Sequence, residues 1–258
     1  MTAGVGYLVF HAVAIVPVIA ALASVTRYRL ASRRDVLTGT LVLAGLALVY
    51  TTPWDGYLIG RGVWWYGDGA VFVRFGAVPL GEYLFFVLQP LLVGLWAARF
   101  RVETERPLSI PLPERALGLA GAGAVAAAGL VLLGADSGLY LGSLLVWSAP
   151  ILAIQWAFGG PFLLAQWRPV LAGTLVPTLY LWVVDRIAIG VGLWTISPRY
   201  TTGVDVPLLG LPIEEAVFFL LTSLFVVQGL VLYVWLVDQL RAVEDRDRQS
   251  LAALFGGR

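Results

Sequence analysis

Five long stretches of this chain contain no Asp, Glu, Lys or Arg, and that feature limits what it can fold into more than any other. They run Thr2 to Thr26, Val36 to Trp54, Ala116 to Ala135, Ser137 to Trp167 and Ala216 to Val237. An apolar run of about 18 residues, rising ~1.5 Å each, spans the hydrocarbon layer of a bilayer as a helix. Two shorter runs, Tyr83 to Ala98 and Pro169 to Val184, become full spans when extended by a few residues. Lipid admits only helices and closed barrels, and the alternating strands of about ten residues that a barrel needs are absent. The expected fold is an all-α polytopic membrane protein of about seven helices, with spans near 4–25, 36–53, 77–98, 116–135, 139–159, 168–186 and 211–237. Only 13% of the 258 residues are charged, where a soluble domain would carry roughly a quarter. The first run reads as a span rather than a signal peptide. It lacks a positive leading segment and is too long for the apolar core of one.

All 17 basic residues are Arg, and their placement orients the chain. With the N-terminus outside, Arg27, Arg29, Arg33, Arg34 and nine further arginines, the last being Arg258, fall in cytoplasmic segments, against four outside: Arg61, Arg74, Arg186 and Arg199. A multi-pass protein of the cell membrane with a cytoplasmic C-terminus is expected. Composition also removes several chemistries. The absence of Cys excludes disulfides, thiolate metal sites and cysteine nucleophiles. The absence of Lys excludes a retinal Schiff base, whatever seven helices suggest. His11 is the single histidine; it makes no metal site alone and reads as a hydrogen-bonded structural residue. No Gly-rich strand-to-helix turn, Walker motif or basic patch is found. No metal, no cofactor and no nucleic-acid partner are therefore expected, and membrane lipid is the expected surrounding.

The chain also repeats itself. Asp55, Ile59, Gly60, Gly62 and Trp64 recur, all by one constant shift, as Asp185, Ile189, Gly190, Gly192 and Trp194. Pro79-Leu80-Gly81-Glu82 with Phe85-Phe86 recurs by a second, slightly longer shift as Pro212-Ile213-Glu214-Glu215 with Phe218-Phe219. The extra residues fall in the loop between the two blocks, where insertion is tolerated. Spans 1–3 thus match spans 5–7, and span 4 restores the chain direction. The halves become parallel repeats about an axis along the membrane normal. The expected organisation is a first repeat over 1–100, an inner loop and linking helix over 101–136, a second repeat over 137–238 and a mixed-charge cytoplasmic tail over 239–258. Both motif blocks lie near the outer ends of helices 2, 3, 6 and 7, facing one shared cavity.

Glu82, Glu214 and Glu215 are the candidate catalytic residues. Proline followed by a carboxylate in the first turn is an ordinary helix start, and that reading stays open. It leaves two things unexplained. Ionisable groups at the bilayer edge are costly and are functional candidates by default. Glu82 precedes Phe85 and Phe86, and Glu215 precedes Phe218 and Phe219, by three and four positions, which puts carboxyl and rings on one helix face. Desolvation favours the protonated form of a carboxyl, so an apolar pocket makes a general acid of one. Glu214 and Glu215 point about 100° apart, so both need not face the cavity. Trp54, Trp64, Trp65 and Trp194, with Tyr57, Tyr66, Phe72, Phe75, Tyr83 and Tyr200, form either an interfacial aromatic belt or walls that stabilise a carbocation. Asp55 and Asp185 either pair with arginines such as Arg61 and Arg186 or orient the glutamates.

The complete Pro212-Ile213-Glu214-Glu215…Phe218-Phe219 element, its partner at Pro79 and the Asp–Trp spacing before each resemble the membrane-type lycopene cyclases. The likeness covers about residues 1–238. One departure is Gly81, where the family pattern has a second glutamate. The resemblance implies lycopene, a C40 hydrocarbon, as substrate and a cofactor-free isomerisation. A proton added at C2 of an acyclic end gives a C1 cation, C5=C6 attacks it, and loss of the C6 proton leaves a β-ring, giving γ- and then β-carotene. Glu82 and Glu215 would be acid and base, in either order, with Glu214 as second candidate and Asp55 and Asp185 in support. Trp54, Trp64, Trp65, Trp194, Phe85, Phe86, Phe218 and Phe219 would bind the substrate. A carotenoid hydratase, a carotenoid-binding protein and a transporter with three-plus-one-plus-three helices are the alternatives. The lack of any Asn argues against a polyol transporter.

Overall fold

The computed structural model describes residues 6–108 and 110–255. The first residues of the first span and repeat, Ser109 of the inner loop, and Arg258 lie outside the described residues. Seven helices account for most of the chain: α1 (Gly6–Val25), α2 (Arg33–Arg61), α3 (Leu80–Ala97), α4 (Leu112–Leu132), α5 (Leu139–Ala165), α6 (Trp167–Gly190) and α7 (Ile213–Phe255). All seven are long and apolar enough to cross a membrane.

Local chemistry sets the helix ends. Ser32 caps α2, its Oγ accepting from the Asp35 amide at 3.1 Å and donating to the Asp35 carboxylate at 2.7 Å. The helix stops at Gly62, whose φ of 71° suits a residue without Cβ. Gly192 ends α6 in the same way at 73°. Both helices therefore outrun their apolar stretches and carry Asp55 and Asp185 more than a turn inside rather than at the tips. The mixed-charge stretch after Asp238 also differs from a simple tail. It continues α7 as helix to Phe255, because its Arg, Glu, Gln, Leu and Ala are strong helix formers. In α1 the turn His11–Ile15 widens to a π-helix just before Pro17, which has no N–H to continue the ladder.

Without a hydrophobic drive between helices in lipid, packing rests on small residues and on interhelical hydrogen bonds. α4 lies on α5 alone among close partners, and a Cβ on Gly129 would meet the Gly142 carbonyl at 2.7 Å. Two bonds of one kind tie the repeats: Tyr50 donates to the Trp147 carbonyl at 2.9 Å, and Tyr180 donates to the Ala14 carbonyl. The two tyrosines are counterparts under the shorter shift, and the two acceptors, Ala14 and Trp147, under the longer one.

Three short antiparallel ribbons, which the apolar runs do not foretell, cross one end of the bundle. β1 (Trp64–Tyr66) pairs with β4 (Trp194–Ile196), β2 (Arg74–Phe75) with β3 (Val78–Pro79), and β5 (Asp205–Val206) with β6 (Leu211–Pro212). In the first ribbon Trp65 faces Thr195, its own counterpart in the second repeat, and Trp64 faces Ile196 while Tyr66 faces Trp194. The flanking bonds, Gly67 N to Leu193 O at 3.0 Å and Ser197 N to Val63 O at 2.8 Å, exchange under the same shift. A local twofold axis thus passes between Trp65 and Thr195.

Candidate active site

Beneath this ribbon the two repeats line a small, partly open cavity of about 60 Å³. Four carboxyl groups line it: Asp55 from α2, Glu82 from α3, Asp185 from α6 and Glu215 from α7. Each glutamate is the third residue of its helix, after Pro79 or Pro212, so its carboxyl sits at the positive end of the helix dipole. Trp54, Trp64, Trp194, Phe85, Phe218 and Phe219 wall the space. No basic side chain is among its lining residues. Trp54 stacks on Trp147 at 4.8 Å between ring centres and lies parallel to Phe218 at 6.1 Å.

Every carboxyl group but one has a partner from an aromatic side chain or a loop. Tyr66 donates to Glu82 at 2.6 Å and itself receives the Trp64 indole N–H at 3.0 Å. Burial, and the Glu82 carboxyl beside it, push the Tyr66 hydroxyl well above the ordinary tyrosine range, which keeps it a neutral donor. Tyr140 donates to Glu215 at 2.9 Å, and Trp194 donates to Asp185 at 3.0 Å. Asp55 Oδ2 is buried without a hydrogen-bond partner, as is Asp185 Oδ2.

The expected ion pairs of these aspartates do not form. Arg186 turns to the Leu209 carbonyl at 3.1 Å, and Arg61 lies against the rings of Tyr57 and Tyr200. Adjacent and six-apart positions on a helix face different ways, so neither arginine can follow its aspartate inward. Glu214 is buried but is not among the cavity's lining residues. Its Oε1 accepts from the Thr202 amide at 2.7 Å and from the Thr202 hydroxyl at 2.8 Å. Trp65 is half exposed on the ribbon's outer side, and Phe86 lines a different cavity.

Gly81 shows why the repeats diverge. A Cβ there would meet the Tyr7 ring at 2.1 Å, and the Gly81 carbonyl lies 2.9 Å from His11 Nε2. The ring of Tyr7 fills the space a glutamate would need. Gly81→Glu is therefore expected to cost about 1–3 kcal/mol by overpacking, read as a lower melting temperature of the purified protein. Unchanged melting would show that the ring moves aside freely.

Sequence reasoning missed Tyr7 and Tyr140, which line the cavity, and read Tyr66 as a belt or wall ring rather than as a hydroxyl donor to Glu82. A signal existed: Tyr7 and Tyr140 are related by the same shift that relates Glu82 to Glu215. Phe10, Leu181, Val184 and Ile196 carry no such mark.

A bundle of seven apolar helices around a buried carboxyl and aromatic cavity defines a polytopic membrane protein with an acidic, aromatic-walled candidate site. The comparisons are narrower: the chain matches the family model for lycopene cyclase over residues 7–100 and 139–235, and it belongs to that family. It is 45% identical over 235 residues to a lycopene beta-cyclase of Halobacterium salinarum, covering 91% of this chain and 98% of that one. It is 36% identical to a bifunctional lycopene cyclase/phytoene synthase of Aspergillus niger over 74% of this chain and 34% of the fungal one. A protein of the same description from Colletotrichum graminicola is 35% identical over 88% of this chain and 40% of its own length. No solved structure matches.

Proposed function

We propose that this protein is a lycopene beta-cyclase that closes the acyclic ends of lycopene by proton transfer among the carboxyl groups of its cavity. One observation carries the assignment of the site: four carboxyl groups and nine aromatic rings share a cavity whose lining includes no cation. Four such groups so enclosed cannot all be ionised, because like charges without a counter-ion repel in a low dielectric. The set therefore holds at least one protonated carboxyl, the acid the chemistry needs.

Glu82 and Glu215 are the proton donor and acceptor. Each has one oxygen engaged by a tyrosine hydroxyl, which fixes the carboxyl and leaves the other oxygen for the substrate. An acid protonates C2 of the terminal alkene, the C1 cation is attacked by C5=C6, and a carboxylate removes the C6 proton. Trp54, Trp64 and Trp194 present rings to the cationic carbon, an interaction of about 0.5–2 kcal/mol per desolvated ring. Asp55 and Asp185 lie beside the glutamates and return the proton from base to acid. Glu214 holds the loop at Thr202. The reading is tested by pigment analysis of lycopene-accumulating bacteria expressing the chain. A product of unchanged mass, lost in the Glu82→Gln, Glu215→Gln double variant, supports it; a product heavier by one water overturns it in favour of hydration.

The arginine distribution supports an outside position for the end of the bundle that holds Glu82 and Glu215, with the C-terminal end of α7 in the cytoplasm. Because the chain lacks Cys, single cysteines report this directly. Leu208→Cys, at an exposed loop position, is expected to react with a membrane-impermeant thiol reagent in intact cells, and Ala242→Cys only after lysis. The reverse pattern would invert the topology.

A further inference from the structure

A second cavity, of about 550 Å³, lies between α2, α5 and α7 against α3. It meets the carboxyl cavity at Phe85 and Phe218, which line both. It follows α7 from Phe218 to Leu236, a helical rise of about 27 Å. Leu46 and Ile154 on its rim are 60% and 72% exposed, so it opens sideways to lipid between α2 and α5. We propose that this cavity holds the polyene chain of lycopene lengthwise, with one end among the carboxyl groups, so that each binding event closes one ring. The inference rests on the cyclase reading above and adds the path and the order of the two cyclisations.

The geometry requires the order. A conjugated polyene is a rod, and a rod aligned with α7 leaves its second end near Tyr233 and Leu236, at the opposite end of the bundle from Glu82 and Glu215. That end reaches the carboxyl groups only if the molecule leaves, turns and returns. The twofold relation supplies no second channel of this kind among the described residues. On the other side of the axis α1 packs against α3 and is tied to α6 by the Tyr180 bond to the Ala14 carbonyl, with Ile15 and Leu181 buried there. A groove does adjoin the site through Phe10 and Val184, but on α1 it spans only Gly6 to Ala14, a rise of about 12 Å.

The experiment follows products over time, using the full chain in lipid vesicles loaded with excess lycopene. The monocyclic product is expected to accumulate first, with the bicyclic product forming only as lycopene is depleted. Bicyclic product from the first turnovers, with lycopene still in excess, would overturn the proposal. Leu46→Trp with Ile154→Trp obstructs the rim at exposed positions and is expected to slow conversion by about tenfold or more, and Val13→Trp in the short groove to leave it nearly unchanged. The opposite ranking places the chain in the groove and overturns the proposal. A second readout needs no turnover: lycopene retained by the purified Glu82→Gln, Glu215→Gln variant is expected to fall when the rim tryptophans are added. Retention unaffected by them refutes the channel. Undiminished cyclisation by the double glutamine variant refutes the carboxyl assignment instead.

Discussion

Glu215→Gln is expected to lower the cyclisation rate by about 10²–10⁴-fold, the range for losing a positioned proton-transfer group. Glutamine keeps the size of the side chain and still offers a carbonyl oxygen to the Tyr140 hydroxyl, which lies 2.9 Å from the carboxylate. It cannot give or take the proton. The substitution therefore separates chemistry from packing, and the amount of folded protein should not change. The neighbouring residue supplies the control. Glu214→Gln also retains an acceptor for the Thr202 amide and hydroxyl, and Glu214 does not line the cavity. Its rate should stay close to that of the parent. Rates measured in membranes at matched protein levels decide the matter. Equal loss in both variants would mean that the paired glutamates act as one unit, and full activity of Glu215→Gln would remove that residue from the mechanism.

Much of this architecture was legible because bilayers impose few choices. Seven apolar runs became seven helices, and the repeat of Asp, Pro, Glu and Phe at two fixed shifts brought the two halves to a common cavity. The ribbons were not legible. Segments such as Trp64–Tyr66 are three residues long, too short for a periodic signal, and their pairing is made across repeats rather than within a run. The sequence ranked Glu215 ahead of Glu214, by its alignment with Glu82 and its spacing from Phe218 and Phe219; the bond that holds Glu214 was not legible, because Thr202 is a loop residue without a pattern of its own. For the aspartates the sequence left arginine pairing open beside a role in orienting the glutamates, because Arg61 and Arg186 lie close in sequence. Along a helix, such neighbours diverge, and the actual partner of Asp185 is the Trp194 indole, which the ribbon carries back over the helix end.

The same ribbon makes the divergence of the repeats chemical as well as structural. Trp64 and Trp194 are counterparts, yet one donates to Tyr66 and the other to Asp185. Tyr66 corresponds to Ile196, which cannot donate. Glu82 therefore receives its hydroxyl from the ribbon, and Glu215 receives its own from α5. The two carboxyl groups, at corresponding places in the repeats, thus sit in different surroundings, as the proposed acid and base at one site would require.

Gly67→Ala should be among the most damaging single substitutions outside the carboxyl groups. A Cβ on Gly67 would stand 2.2 Å from the Gly192 carbonyl oxygen. That obstacle is backbone, held in place by the bond from Gly67 N to Leu193 O at 3.0 Å, so it cannot rotate away as a side chain could. Overpacking of this kind costs about 1–3 kcal/mol and occasionally more. The strain falls on β1, which carries Trp64 and the Tyr66 hydroxyl that fixes Glu82 at 2.6 Å. A displacement of about 1 Å in a catalytic group can cost about 10²-fold in rate, so a rate loss of that order is expected together with a lower melting temperature. Ser197 provides the test of cause. It occupies the corresponding place in the second repeat, already carries a side chain, and makes the equivalent bond to Val63 O. Ser197→Ala should leave both rate and melting nearly unchanged. If Gly67→Ala did the same, the ribbon would be a loose cover, and the tyrosine on Glu82 would have to be held in register by the helices alone.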